Sequence, residues 1–183
     1  MPRADLKLTY EDYRALPETG PWYQLVGGEL VMTPAPRLRH QTVAVRLFSP
    51  LHAFVESRSL GSVYFAPVDV ILSDADAVQS DILYVSAARR GILVPEGVRG
   101  SPDLCVEVLS ESSMALDRGA KRELFAEHGV CDVWLVDPEA NSIEVFRLQE
   151  VRATPAAVFR EDEILTTDLL PGLALGVNDL FAP

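Results

Sequence analysis

The sequence has few of the features that mark a secreted, disulfide-rich or membrane-embedded protein. It has only two cysteines, Cys105 and Cys131, and both stand in apolar segments. This predicts reduced core residues and argues against a disulfide framework or a zinc site. It contains no run of about eighteen apolar residues, so no membrane-spanning helix is predicted. The N-terminus has no uninterrupted apolar stretch of the kind found in secretion signals. We therefore expect a cytoplasmic protein without a membrane anchor.

Basic residues are also scarce. The chain has 16 Lys and Arg against 27 Asp and Glu, which gives a net charge of −11 and a pI of about 4.6. Surfaces that bind nucleic acid non-specifically are usually basic, because they neutralise phosphates. The composition therefore argues against such a surface. A local basic patch or a metal-bridged contact is still compatible with it.

The remaining composition is that of an ordinary globular protein, with 48% apolar and 23% charged residues over 183 positions. We expect a single domain over residues 1–183. Apolar periodicity predicts helices over residues 9–16, 38–58 and 114–128, with a kink or break at Pro50 in the second. A hairpin is predicted to turn at Gly27 and Gly28. Further strands are predicted in "SVYFAPVDVIL", "QSDILYVS", "DLCVEVL", "CDVWLVDP" and "IEVFRL". The predicted fold class is α/β with a mixed sheet.

One carboxylate interrupts the apolar segment "DLCVEVL". Alternation along a strand places Glu107 on the same face as Cys105 and Leu109. Asp81 begins the apolar segment "DILYV", and Asp69 stands similarly in "PVDVIL". Taken singly, each acid is most simply a structural carboxylate that pairs with an arginine or caps backbone amides. Acids on neighbouring strands, however, repel each other unless a cation lies between them. A hard divalent metal held by one or two carboxylates and water is the usual solution.

Three further polar residues are candidates for the same site. On a helical wheel of residues 114–128, Lys121 falls among the apolar positions of the buried half. It is there either as a lysine whose stem covers the edge of the core or as a cation for the acids. His40 begins the apolar stripe of the helix at 38–58, where a lone histidine is more often structural than catalytic. Glu29 opens the strand "ELVM" and taken alone is an ordinary strand-end charge.

The order of these segments resembles the Uma-type family of restriction-endonuclease-like proteins, a branch of the PD-(D/E)XK nucleases. The matching segments run from about residue 9 to 181 and are "YQLVGGELVMTPAP", "RHQ", "APVDVIL", "QSDILYVS", "GSPDLCVEVLS", "DRGAKRELFAEHGVCDVWLVDP" and "LLPGL". Each segment alone is a weak signal, whereas their order and spacing together are specific. The resemblance implies a restriction-endonuclease-like fold, in which helices flank a mixed sheet and the acids lie on adjoining strands.

The resemblance also implies roles for the candidate residues. In this superfamily an Asp, a Glu and a Lys hold Mg²⁺ or Mn²⁺ and activate water against a phosphodiester. Carried over, Asp81 and Glu107 are the metal-binding carboxylates. The lysine expected two residues after the glutamate is absent, and its role falls to Lys121 on the following helix. Glu29 matches a further polar residue and is implied as a third metal ligand. His40 is implied to position the scissile phosphate or to assist proton transfer.

Three interpretations of the site follow, and the sequence leaves them open. The first is a metal-dependent endonuclease that acts on DNA. The second is a non-catalytic module that keeps the nuclease fold for protein interaction or as a mobile-element accessory, which the charge of −11 favours. The third is a structural network in which the acids merely pair with arginines. A basic rim at the cleft would favour the nuclease, and its candidates are Arg89, Arg90, Arg99, Arg118 and Arg122.

A homodimer is a further expectation. Members of the superfamily often pair to cut two strands of a duplex. The C-terminal segment "LLPGLALGVNDLF" is predicted to offer the apolar surface for such pairing.

Overall fold

The computed structural model describes residues 7–17, 22–33 and 35–182. Its α-helices are α1 (Tyr10–Arg14), α2 (Leu38–Ser57), α3 (Met114–Leu116), α4 (Arg122–His128) and α5 (Val177–Phe181). A 3₁₀ helix covers Ala87–Ile92, and a π turn over Asp117–Lys121 joins α3 to α4. In the described part of the chain, no helix combines the length and the apolar character needed to cross a membrane.

The strands follow one another closely along the chain. In order, they are β1 (Trp22–Val26), β2 (Glu29–Thr33), β3 (Gly61–Phe65), β4 (Asp69–Ser73), β5 (Asp76–Gln79), β6 (Ile82–Ser86), β7 (Leu93–Val94), β8 (Gly97–Arg99), β9 (Leu104–Val108), β10 (Asp132–Asp137), β11 (Ser142–Arg147), β12 (Ala157–Arg160), β13 (Ile164–Leu165) and β14 (Leu175–Gly176). The tight hairpin of β1 and β2 turns at Gly27 and Gly28, as predicted, and both glycines have positive φ.

The strands form two mixed sheets and a small antiparallel pair, β13 and β14. The first sheet has the order β2-β1-β5-β4-β8-β7, and the second has the order β12-β11-β10-β9-β6-β3. In each sheet one pair of strands is parallel, namely β4 with β8 and β9 with β10. The predicted fold class, helices with mixed β-structure, is confirmed. The division into two sheets was not predicted.

The division is visible in "SVYFAPVDVIL", which the apolar pattern predicts as one strand. The structure has two strands there: β3 ends at Phe65 in the second sheet, and β4 begins at Asp69 in the first. The prediction of a single strand is wrong because Pro67 lies between them. Proline has no N–H group to continue a ladder of strand hydrogen bonds.

The second sheet is buried on both faces, and β9 shows this most clearly. Leu104, Val106 and Val108 belong to a core cluster with α2 and the C-terminal segment. Cys105, on the opposite face, belongs to a cluster with α4 and with residues of the first sheet. The predicted alternation of β9 is therefore confirmed.

The C-terminal segment contributes to this core instead of offering an apolar surface. Six of its large apolar side chains are buried and the seventh, Leu169, is half-buried against the same core, so the segment does not offer the apolar surface that we assumed for a homodimer. The physical reason is that α5 and β14 return the chain to the face of the second sheet that α2 covers. The buried residues are Leu170, Leu173, Leu175, Val177, Leu180 and Phe181.

The helices differ from prediction at two points. The second helix, α2, continues through Pro50 without the predicted break. Its buried stripe offsets the roughly 3 kcal/mol that an internal proline costs. The helix predicted at 114–128 is interrupted by the π turn, where Gly119 has φ −104° and ψ −109°. It ends as predicted, at Gly129 in the left-handed conformation.

A buried acid of the second sheet gives a prediction about stability. Asp132, at the start of β10, is buried and accepts a hydrogen bond from Thr167 at 3.3 Å. Burial raises the pKa of Asp132 from 3.8 to about 6. Between these values the folded chain holds a proton that the unfolded chain has lost, so stability falls as the pH rises.

We therefore expect Asp132→Asn to gain stability relative to the wild type as the pH rises from about 4 to about 6, by at most about 3 kcal/mol. Urea unfolding of both chains across this range measures the difference. Glu127→Gln, an exposed acid-to-amide change, is the matched control. A difference that stays constant with pH would contradict the assignment.

Candidate active site

Two carboxylates meet where β6 and β9 pair in the second sheet. The strands are antiparallel, with Ile82 opposite Val106. The N–H of Asp81 donates to the carbonyl oxygen of Val106 at 3.1 Å. Asp81 lies one residue before β6, and it lines the same pocket as Glu107, whose carboxylate feels the charge of Asp81. The structure therefore brings together the two acids that the sequence singled out.

Glu107 is 3% exposed, and its two carboxylate oxygens have different surroundings. Oε2 accepts a hydrogen bond from Lys121 Nζ at 2.7 Å. Oε1 is buried and has no hydrogen-bond partner among the described residues. Burial raises the pKa of Glu107, the charge of Lys121 lowers it, and Asp117 and Asp81 raise it again, to about 8. Burial and the neighbouring acids therefore outweigh the lysine, and a second cation beside Oε1 would stabilise the ionised form.

Lys121 is the cation of this cluster and is only 2% exposed. Its Nζ donates to Glu107, to the main-chain oxygen of Gln79 at 2.6 Å and to Asp117 Oδ1 at 3.4 Å. Burial lowers the pKa of Lys121, but the charges of Glu107 and Asp117 together raise it by more than burial lowers it. The net shift is upward, so the ammonium form is favoured. The π turn carries both Asp117 and Lys121. Such turns are frequent at functional sites.

Asp81 is more open than Glu107 and is oriented by two groups. The N–H of Val108 donates to Asp81 Oδ2 at 2.8 Å. His40 Nε2, from the first turn of α2, lies 3.3 Å from the same oxygen. Burial lowers the pKa of His40, but the hydrogen bond and the charge of Asp81 raise it more, so the net shift is upward. The raised pKa favours the positively charged form of the His40 imidazole beside this acid.

Asp81, Glu107, Lys121 and His40 line one pocket of about 670 Å³, which we call the acid pocket. Glu29 is not among the described residues that line it. It is exposed at the first position of β2, beside the hairpin turn, whereas the last residue of that strand lines the pocket. The two ends of β2 are about 13 Å apart. The structure therefore assembles four of the five predicted residues and leaves Glu29 apart.

Three polar residues that line the acid pocket, Asp117, Gln24 and Gln79, make contacts there and were not predicted as site residues. Asp117 lies four positions before Lys121, a spacing that puts two side chains on one helix face and could have identified it. Gln24 is buried, and its Oε1 accepts from the N–H of Gln79 at 2.9 Å. Gln79 also donates from its side chain to Asp69 at 2.8 Å. Neither glutamine has a sequence signal, because their contacts join different segments.

Positive charge at the rim of the acid pocket is sparse. The only arginine among its described lining residues is Arg37, which lies 3.6 Å from Glu111. None of the five arginines considered as candidates for a basic rim lines the pocket. Four of them interact elsewhere: Arg118 with Glu144, Arg89 with Asp103, Arg99 with the ring of Tyr10 and Arg122 with the ring of Phe146.

The two acids fit a sparsely coordinated hard cation. The observation that supports this is the buried Glu107 Oε1, which has no hydrogen-bond partner in the described part of the chain and belongs to a carboxylate in the same pocket as Asp81. Among the described residues, no group of three or more His, Cys, Asp and Glu is placed to hold a metal ion. A pair of carboxylates suits Mg²⁺, which usually keeps several waters and binds one or two carboxylates plus substrate phosphates. Mn²⁺ accepts the same oxygen ligands.

Comparison with known proteins adds two findings. The profile of the Uma2 family, described as "Putative restriction endonuclease", matches residues 10–178. A similar solved structure is described as "a putative nuclease belonging to DUF820 from Anabaena variabilis ATCC 29413", with 22% sequence identity and a TM-score of 0.80. The match covers 96% of this chain and 98% of that one, and it shows a shared fold. No curated protein matches the chain.

Proposed function

This chain belongs to the Uma2 family, and from that premise we propose that it is a metal-dependent endonuclease that hydrolyses phosphodiester bonds of DNA. The observation that carries the proposal is the acid pocket's buried pair. Glu107 lies beside Asp81 in that pocket, accepts from Lys121 through one oxygen and has no hydrogen-bond partner for the other among the described residues. Buried carboxylate oxygens usually have a partner, so the unpartnered Oε1 supports a bound cation at this position.

Asp81 and Glu107 would hold Mg²⁺ or Mn²⁺, which supplies Lewis-acid activation of the phosphoryl group and lowers the pKa of a bound water. Hydrolysis forms a bond from water oxygen to phosphorus and breaks the bond to the leaving oxygen, so negative charge grows on the phosphoryl oxygens. Lys121 opposes that charge from a desolvated position, where its field is strong. It also fixes Glu107 in place through the hydrogen bond to Oε2.

His40 and the backbone of β9 act on Asp81. The N–H of Val108 and the His40 imidazole both contact Oδ2, which sets the direction of the carboxylate. His40 is thus a positioning residue for this acid, and its raised pKa favours a positive imidazole near the substrate phosphate. Glu29 has no part in this proposal, because it lies outside the acid pocket.

The rival interpretation, a non-catalytic module with this fold, is favoured by one observation. The net charge is −11, and Arg37 is the one arginine among the described residues that line the acid pocket. Long-range attraction of a polyanion is therefore weak. DNA as the substrate, a homodimer and a cytoplasmic location stay predictions.

Metal binding and plasmid cleavage together test the proposal. We expect calorimetry to detect Mg²⁺ and Mn²⁺ binding near millimolar concentration, and we expect Asp81→Asn to abolish it because one of the two carboxylate ligands is lost. Supercoiled plasmid should be nicked by the wild type with either metal, and EDTA should stop the reaction. Glu127→Gln, remote from the acid pocket, is the matched control for acid-to-amide change. A folded wild type that binds metal and leaves plasmid intact in all conditions would favour the non-catalytic module.

A further inference from the structure

A second groove opens beside the acid pocket. It has a volume of about 460 Å³ and shares Trp22, Pro67 and Gln79 with the acid pocket, so the two spaces adjoin at these residues. We call it the aromatic groove, because Tyr13, Trp22 and Tyr64 form much of its wall. Its volume lies in the range of pockets that enclose a small organic ligand or one unit of a larger one.

Trp22 stands where the two spaces meet and is 61% exposed. It pairs with Thr33 across the hairpin, and both residues line the acid pocket. Met32 is equally exposed at 61%, but it is the neighbour of Thr33 and therefore points to the opposite face. The hairpin thus presents one large aromatic face to the acid pocket and a matched apolar side chain away from it.

The charges of the aromatic groove distinguish between possible ligand groups. Its charged residues, within the described lining, are Asp69 and Glu96, and no lysine or arginine lines it. Two carboxylates repel a phosphate and accept hydrogen bonds from N–H donors. Asp69 is held in place because its Oδ1 accepts from Tyr13 at 3.3 Å and from Gln79 at 2.8 Å. Aromatic walls with fixed acceptors suit a planar ring that carries N–H groups, which is the chemistry of a nucleobase.

The scarcity of positive charge at the surface also favours a nucleobase as the ligand. Phosphate contacts supply most non-specific affinity for nucleic acid, and this chain has little basic surface at the acid pocket. Base stacking on an aromatic side chain contributes affinity without requiring positive charge. The faces of paired bases are covered inside a duplex, so a base can reach Trp22 only from a single strand or an unpaired position.

We propose that the aromatic groove is a nucleobase subsite in which Trp22 stacks on an unpaired base adjacent to the scissile phosphate, so that the substrate class is single-stranded nucleic acid. The proposal rests on the proposed nuclease function and specifies its substrate. Trp22 is a binding residue in it, and the acid pocket carries the chemistry.

Tryptophan fluorescence gives a direct readout. The chain has two tryptophans, and the other, Trp134, is fully buried. Quenching by a ligand therefore reports mainly on Trp22. In EDTA, which prevents metal-dependent hydrolysis, we expect short single-stranded DNA or RNA to quench the emission. A duplex of the same sequence should quench far less, and an oligonucleotide of abasic sites, which keeps the phosphates, should give no quenching.

Variants separate stacking from other effects. Fluorescence anisotropy of a labelled single strand should show Trp22→Ala binding about 5- to 150-fold more weakly than the wild type, with Trp22→Phe in between and Met32→Ala unchanged. Equal affinities for Trp22→Ala and the wild type would overturn the subsite, as would equal quenching by abasic and base-containing strands. The nuclease proposal is judged separately by cleavage of single-stranded DNA as well as plasmid, each with Mg²⁺ or Mn²⁺. If Trp22→Ala binds and nicks like the wild type, only the subsite fails. If the wild type binds bases and never cleaves, only the nuclease proposal fails.

Discussion

Lys121→Met is expected to lower the free energy of unfolding by about 3–5 kcal/mol, because the change leaves buried acids without their cation. Lys121 Nζ contacts Glu107, Asp117 and the main-chain oxygen of Gln79, and the whole group is shielded from water. Methionine fills a similar volume and donates no hydrogen bond. The loss therefore measures removal of charge and hydrogen bonds, with little change in packing.

The deficit of Lys121→Met should also grow with pH, but only above about pH 8. The pKa of Glu107 is already raised from 4.5 to about 8 in the wild type, and losing the lysine raises it further. Up to about pH 8 both folded chains hold the proton of Glu107 that the unfolded chains have lost, so their stabilities fall in parallel. Above that pH the folded wild type releases this proton while the folded variant keeps it, so the stability of the variant alone continues to fall. Urea unfolding at about pH 7 and about pH 9.5 tests both the size and the direction of this effect.

The chain offers a matched control for this experiment. It contains only two lysines, and the other, Lys7, is exposed. Lys7→Met should change stability by less than about 0.5 kcal/mol. In a double-mutant cycle, Lys121→Met combined with Glu107→Gln should lower the free energy of unfolding by less than the sum of the two single changes. The reason is that Glu107→Gln removes the buried carboxylate that Lys121→Met leaves without its cation. Additive losses would show that the two side chains are not coupled as the 2.7 Å contact implies.

Glu107→Gln should have a different outcome, with catalysis lost and stability kept. We expect the rate of plasmid nicking to fall about 1000-fold or more, since the change removes a ligand of the metal that polarises the phosphoryl group. The amide oxygen still accepts from Lys121, and the buried Asp117 remains as a counter-ion 3.4 Å from the lysine. The urea midpoint should therefore stay within about 1 kcal/mol of the wild type or rise.

Opposite effects of the two partners of one ion pair would be diagnostic. A purely structural pair predicts that both changes destabilise the chain. Glu127→Gln, which alters an exposed acid in the same way, should leave both nicking and stability unchanged. Nicking by Glu107→Gln within tenfold of the wild type would remove Glu107 from the catalytic machinery.

The elements that sequence analysis predicted best are those with local periodicity. Alternation in β9 placed Glu107 among apolar neighbours, and the helical wheel placed Lys121 on a buried face. Both predictions hold, even though a π turn changes the helix around Lys121. Asp81 and Glu107 were expected on neighbouring strands; β6 and β9 do pair, and the two acids line one pocket at the end of that pairing.

The rest depends on contacts between distant segments, which periodicity does not encode. The break at Pro67 decides that β3 and β4 belong to different sheets, and it lies inside a continuous apolar pattern. Gln24 enters the acid pocket because β1 pairs with β5. Arginines named for a basic rim interact with distant segments instead, as Arg118 does with Glu144 and Arg99 with the ring of Tyr10. Counting charges along a sequence does not predict such pairings.

Gln79 contributes to both spaces with different atoms. Its main-chain oxygen accepts from Lys121 in the acid pocket, while its side chain donates to Asp69 in the aromatic groove. A substitution at position 79 changes the second contact and leaves the carbonyl oxygen in place. We therefore expect a substitution at this position to alter what the proposed subsite accepts while Lys121 keeps this main-chain acceptor. The two functions proposed for these neighbouring spaces can thus be changed independently.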